Sequence, residues 1–380
     1  MVQALETRSL LSVAMVRDIN PVGQAWNAED NSWPVTDLMT EVNGTLFFSA
    51  NDGIHGKELW KSNGTSAGTV MVKDIQPGLG GSLPVGMTNV NGTLFFVALT
   101  YPHGWELWKS DGTSTGTVLV KDIDPAGNSY VWNLTNVSGT LFFSASNSAG
   151  NELWKSDGTS TGTVLVKDID PSGNSYPSDF VNVNGTLYFS AYTESAGYEL
   201  WKSNGTSTGT VLVKDIFSGI DWGNPDELTN VNGTLYFQAA DSSSTSYELW
   251  KSDGTCAGTV MVKDINTLGS SDPYQLTNVN GTLFFRASNG SGSQLWKSNG
   301  TSTGTVLVKT ILSGNEFDAL NFFANVNGAL FFVANDGISS WELWKSDGTS
   351  TGTQMVKDIW LGGESSQIES LINVNGTVFF

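Results

Sequence analysis

Apolar and polar positions cycle through four short segments from residue 12 to residue 380. One segment is β-branched and closes on Lys-Asp-Ile. It stands at Val70 to Ile75, Val118 to Ile123, Val164 to Ile169, Val211 to Ile216, Val260 to Ile265, Val306 to Ile311 and Gln354 to Ile359, with a first copy at Val13 to Ile19. Six such residues predict a strand, because no helical period fits into them. A connection rich in Gly, Pro, Ser and Asn follows each copy and predicts a loop. Next comes Val-Asn-Gly-Thr-Leu-Phe-Phe, as at Val42 to Phe48 and Val279 to Phe285. Asn-Gly between two apolar runs predicts a tight hairpin, since both central residues of its turn need φ > 0. Ser138 replaces the Asn once, whereas Gly stands in every copy, as the steric demand requires.

The last segment is Glu-Leu-Trp-Lys, which runs into Ser-Asp-Gly-Thr. Its tryptophans are Trp60, Trp108, Trp154, Trp201, Trp250, Trp296 and Trp344, spaced 46 to 49 residues apart. Gln294 replaces the Glu in one copy, and Asn63, Asn204 and Asn299 replace the Asp in three. That exchange predicts that the turn needs a side-chain oxygen and not a charge. A fixed period of this size marks repeated supersecondary units. One unit reads as four antiparallel strands, named here a (ending Asn-Val), b (Thr-Leu-Phe-Phe), c (Glu-Leu-Trp-Lys) and d (Val-x-Val-Lys). The predicted fold is therefore all-β, a β-propeller of four-stranded antiparallel blades. Counting segments gives eight blades, the last built from both termini, with seven as the alternative. Residues 1–11 form an N-terminal arm or sorting segment, and residues 12–380 a single propeller domain of about 47-residue repeats.

Composition adds limits. The formal net charge is −19, which speaks against a nucleic-acid partner, because phosphate binding needs a basic footprint. No apolar run is long enough to span a bilayer as a helix. Nearly all Lys and Arg fall in two registers, after the motif Trp and near the end of strand d, so they are expected to pair with the motif Glu and Asp residues. The lone Cys256 allows no intrachain disulfide.

These copies resemble the Glu-Leu-Trp-x-x-Asp-Gly-Thr (ELWxxDGT) repeat of bacterial extracellular and surface proteins. Leu5 to Leu11 is similar to the Leu-Glu-Pro-Arg-x-Leu-Leu (LEPR-XLL) segment of planctomycete-type surface proteins, with Thr7 in place of the Pro. The resemblance implies an extracellular or cell-surface repeat module and brings no catalytic residues with it.

Candidate chemistry is sparse. His55 and His103 sit at equivalent places in adjacent units, but no carboxylate is fixed beside them by sequence. The Asp ending strand d recurs at Asp18, Asp74, Asp122, Asp168, Asp215, Asp264 and Asp358, and is expected to cap the adjoining loop, with Ca²⁺ binding as the rival use. Aromatic residues outside the motif are the better binding clue: Trp26, Trp33, Tyr101, Trp105, Tyr130, Trp132, Tyr176, Tyr198, Trp222, Tyr247, Tyr274, Trp341 and Trp360. No catalytic, cofactor-binding or metal-binding residue is assigned, and no enzyme activity is expected. The functional expectation is a non-enzymatic extracellular propeller acting in structure, adhesion or assembly, with other surface proteins or glycans as partners. A multivalent carbohydrate-binding lectin is the alternative. A hydrolase or lyase with an acidic central-channel site is a third reading. It would need one off-pattern cluster of carboxylates, and none is visible in the repeats.

Overall fold

The computed structural model of the chain describes residues 16–20, 39–219, 222–241, 246–313, 319–359 and most of 366–379. These contain seven sheets, each of four antiparallel strands in the order a, b, c, d. The sheets are the blades of a β-propeller fold: blade 1 (39–73), blade 2 (85–121), blade 3 (132–167), blade 4 (178–214), blade 5 (226–263), blade 6 (274–313) and blade 7 (320–357). The chain divides into two compact units, residues 1–128 with blades 1 and 2, and residues 129–380 with blades 3 to 7. No helix among the described residues is long and apolar enough to cross a membrane.

Strands b and c are buried on both faces, which explains their runs of apolar residues. Phe95 and Phe96 point to opposite sides of blade 2, yet both are buried. The cores lie between consecutive blades of a unit. Tyr188, Leu200 and Val213 of blade 4 pack against Leu235, Phe237 and Trp250 of blade 5, and Tyr236, Leu249 and Val262 of blade 5 repeat this against Leu283, Phe285 and Trp296 of blade 6. Gly112 in the Asp-Gly-Thr turn has φ of 86°, and a Cβ there would stand 3.2 Å from the Phe47 ring of the preceding blade. Both the turn and the close approach demand glycine.

The Asn-Gly hairpins form as expected, with Asn43 at φ 52° and Ser138 at φ 51°. So do the Asp/Asn turns. Asp111 Oδ1 accepts Thr113 N–H at 2.8 Å, and Asn204 Oδ1 accepts Thr206 N–H at 3.0 Å.

The lysines reach further than the expected carboxylates. Lys202 Nζ donates to the backbone carbonyl of Gly254 in the next blade at 2.9 Å, and Lys214 Nζ donates to that of Thr259 at 2.8 Å. Lys214 also lies 5.6 Å above the Trp250 ring. The repeated lysines thus tie one blade to the next through carbonyls and ring faces, and Lys202 adds its charge to the Thr255 hydrogen bonds that hold the Asp253 carboxyl of the next blade below its usual range.

Strand d stops at its Lys, two residues short of the predicted end, because the motif Glu captures the backbone N–H groups beyond it. Ile216 N–H turns from the ladder to Glu199 Oε2 at 2.8 Å. Blade 6 supplies the contrast. With Gln294 and Thr310 in place of Glu and Asp, strand d runs on from Val306 to Ser313, and Gln294 Oε1 instead accepts Trp296 Nε1–H at 3.0 Å.

The expected count of eight becomes seven complete blades among the described residues. Part of a further repeat stands at each end. Arg17 donates to Thr69 O and lies 6.0 Å above the Trp60 ring, as a strand-d lysine does toward the next blade. However, residues 16–20 form no strand, and the rest of the expected Val13 to Ile19 strand lies outside the described residues. Ile372–Val374 and Thr377–Phe379 form an a–b hairpin. Asn373 Nδ2 reaches Asn325 O at 2.9 Å, extending the link by which Asn230 reaches Asn182 O and Asn278 reaches Asn230 O.

Candidate functional site

The a–b and c–d turns leave each blade at one edge and are nearly identical in every repeat. The b–c turns and d–a connections leave at the other edge, where the sequence varies. The buried motif Glu positions this variable edge. Glu152 is fully buried and accepts Ile169 N–H at 2.8 Å, Ser175 N–H at 2.9 Å and Ser175 Oγ–H at 2.6 Å. The next residue, Tyr176, is held at φ 43° with its ring half exposed. Leu83, Tyr130, Asn224 and Asp272 occupy the same left-handed position in other repeats. A framework glutamate therefore aims a variable side chain outward. Burial raises the carboxyl pKa of Glu152, against the pull of its hydrogen bonds, and takes those of Glu199 and Glu248 to about 7.

Three clefts lie along this edge in the second unit. The first, of about 500 Å³, is lined by Asp170, Tyr176, Tyr192, Glu194, Tyr198 and Trp222 among others. Ring centroids are 5.3 Å apart for Tyr192 and Tyr198, and 5.4 Å apart for Tyr198 and Trp222. Trp222 stands nearly perpendicular to both, at 87° to Tyr192 and 79° to Tyr198. The second cleft, also about 500 Å³, is neutral, with Tyr130, Trp132, Asn151, Asn174 and Tyr176 in its wall. The third, about 310 Å³, includes Ser178, Tyr198, Asp226, Gln238 and Tyr247. Tyr176 and Asn174 are common to the first two clefts, and Tyr198 to the first and third, so the clefts run into one another.

Below this surface the structure brings together carboxylates that the repeat pattern had hidden. Strand a carries a bulge whose residue has positive φ: Gly86, Asn133, Asp179, Glu227, Gln275 and Phe322. Asp179 and Glu227 fall at this place in adjacent blades, with Asp226 next to Glu227. Burial, a hydrogen bond with Asp226 and the charge of Glu227 push the Asp179 carboxyl well up. Glu227 rises to about 7, chiefly by burial, while its Oε2 accepts Leu276 N–H of the next blade at 3.0 Å. Arg286 lies 5.0 Å over the Tyr274 ring nearby. The expectation that no place breaks the repeat symmetry is therefore corrected. The bulge residues vary freely in sequence, and only the sheet shows that they meet.

The remaining candidates are dispersed. His55 Nδ1 pairs with Asp52 and His103 Nδ1 with Asp122, each at 2.7 Å, so the two histidines serve separate carboxylates. No group of three or more His, Cys, Asp or Glu among the described residues is placed to hold a metal ion. The strand-d aspartates do not cap their loops as expected. Oδ1 of Asp74, Asp168, Asp215 and Asp358 is buried without a hydrogen-bond partner, and the motif Glu does the capping. Trp26, Trp33 and Trp360 lie outside the described residues. Tyr192 gave no signal in the sequence, because it belongs to strand b, where an aromatic residue reads as core.

No protein family model matches the chain, and no curated protein does. Solved structures do. One from a study of two prolyl endopeptidases matches with a TM-score of 0.53 at 10% identity, over 83% of this chain and 48% of that one. A puromycin hydrolase mutant gives 0.49 at 11% identity, over 84% and 53%. The β-propeller domain of the Trilobed protease from Pyrococcus furiosus gives 0.41 at 10%, over 84% and 98%. The chain spans about half the length of the first two. At such identities the likeness is one of fold. The expectation of a non-enzymatic extracellular propeller acting in structure, adhesion or assembly is corrected here, because the fold match at 0.53 is to a prolyl endopeptidase. The chain is built on a propeller fold that the prolyl endopeptidase shares.

Proposed function

We propose that this chain is the polypeptide-binding propeller of a peptidase-type protein. It holds an extended peptide along the variable edge of blades 3 to 5, and a separate domain supplies the hydrolysis. The observation that carries this reading is the set of joined clefts around Tyr176, Tyr192, Tyr198 and Trp222. Exposed flat rings offer a peptide apolar area at low entropy cost, and neighbouring amides such as Asn151 and Asn174 can pair with its backbone. Catalysis is assigned elsewhere because the two histidines belong to the unit of blades 1 and 2, whereas the clefts belong to the other.

The test is calorimetric titration with a permanently unfolded polypeptide, such as reduced and carboxymethylated lactalbumin. Saturable binding is expected, and it should be lost in a Tyr176→Ala, Trp222→Ala double variant that keeps the parent melting temperature. Failure to bind any unfolded polypeptide, with saturable binding of a soluble polysaccharide instead, would overturn the proposal.

A further inference from the structure

Of the three clefts described, the first combines aromatic walls with two carboxyl side chains and no basic residue. Asp170 is almost fully buried, and Glu194 is exposed at the b–c turn of blade 4. Neither forms an ion pair with a lysine or arginine among the described residues. The side-chain hydrogen bond of Asp170 is local: its Oδ1 accepts Ser172 Oγ–H at 2.7 Å. Tyr192, Tyr198 and Trp222 place three ring centroids within 6.5 Å of one another. A cation seated against this corner lies within the roughly 6 Å at which a ring face attracts it. The fold itself uses the same chemistry inside, where Lys167, Lys214 and Lys263 lie 5.6 to 5.7 Å above tryptophan rings. The neutral second cleft, which shares Tyr176, has amides where this one has carboxylates. A net charge of −19 adds long-range attraction for a basic ligand.

We propose that the Asp170, Tyr176, Tyr192, Glu194, Tyr198 and Trp222 cleft is a cation pocket that takes an arginine or lysine side chain of the bound polypeptide. This deepens the polypeptide reading and rests on it. The side chain lies against the rings that line the cleft, and its charged head meets Asp170 and Glu194. The residues flanking it extend into the neutral cleft past Tyr176. Selectivity arises because a neutral side chain would leave a partly buried carboxylate without compensation.

The experiment titrates the whole chain calorimetrically with three probes: an Ala-Ala-Arg-Ala-Ala peptide, the same peptide with Gln for Arg, and arginine amide. The Arg peptide is expected to bind about tenfold more tightly than the Gln peptide, with an advantage that shrinks as salt is added. Glu194→Gln and Trp222→Ala should each remove most of that advantage. Both residues are exposed, so these variants test the pocket without unfolding the blade. Asp170→Asn keeps the oxygen that Ser172 uses and should act in the same direction. Equal binding of the Arg and Gln peptides would overturn the cation pocket while leaving the polypeptide reading intact. Binding of arginine amide with no binding of either peptide would keep the pocket and overturn the polypeptide reading. Binding of none of the three probes would overturn the pocket.

Discussion

Glu199 Oε1 accepts the backbone N–H of Gly223 at 3.0 Å, from a residue 24 positions further along the chain. The same carboxylate takes Ile216 N–H at 2.8 Å and Phe217 N–H at 3.2 Å. One buried side chain therefore ends strand d, turns the connection and sets Trp222 beside the cleft. Framework and candidate site are coupled through this residue.

Glu199→Ala should cost about 3 kcal/mol or more, because it leaves three N–H groups without their acceptor. It should also abolish peptide binding by releasing the Trp222 loop. Glu199→Gln should cost less, since the amide keeps one of the two acceptor oxygens. Urea unfolding and calorimetric titration of both variants measure the two effects. An alanine variant with parent stability would refute the anchoring role.

Stability should fall as pH rises. Glu199, Glu227 and Glu248 move from 4.5 up to about 7, and Asp179 is also raised. A carboxyl with a raised pKa holds its proton more tightly in the folded chain than in the unfolded one. Its contribution is complete below the unfolded value and is lost as pH climbs through the folded value. Melting temperature is expected to drop from about pH 5 to about pH 8, and a Glu227→Gln, Asp179→Asn variant should show a shallower drop. A parent chain that gains stability over this range would contradict the burial of these groups.

Trp250→Ala should destabilise the chain by about 3 to 5 kcal/mol. Its ring fills the space between blades 4 and 5 and lies beneath Lys214, so the variant loses packing and a cation–π contact together. Chemical denaturation reads the change directly.

Asn204→Asp should leave stability within about 0.5 kcal/mol of the parent, whereas Asn204→Ala should cost about 1 kcal/mol. Both Asp and Asn present Oδ1 to the N–H and hydroxyl of the Thr two residues on, and the alanine variant loses both bonds. Equal losses in the two variants would show that charge matters at this turn.

Much of the architecture was legible in the chain because its determinants are local. The period, the Asn-Gly hairpins and the Ser-Asp-Gly-Thr turn each depend on a few neighbouring residues, and Asn63 in place of Asp already showed that an oxygen suffices there. The partners of the repeated charges were not legible. Lys202 and Gly254 are 52 residues apart, and only stacked blades bring them together. The role given to Asp215 belongs to Glu199 for the same reason.

By itself the sequence determined an all-β chain of four-stranded repeats with aromatic residues in its variable loops, because strand period, turn sterics and repeat length act over short distances. Tertiary structure alone decided which aromatics share a cleft and which carboxylates meet. Tyr192 lies in one strand, Tyr198 pairs with it from the next and Trp222 follows in a connection, and they converge only when sheet pairing folds these segments onto one edge. Asp179 and Glu227 meet because a bulge in each of two adjacent blades directs both side chains to the same boundary, a relation set by packing between blades.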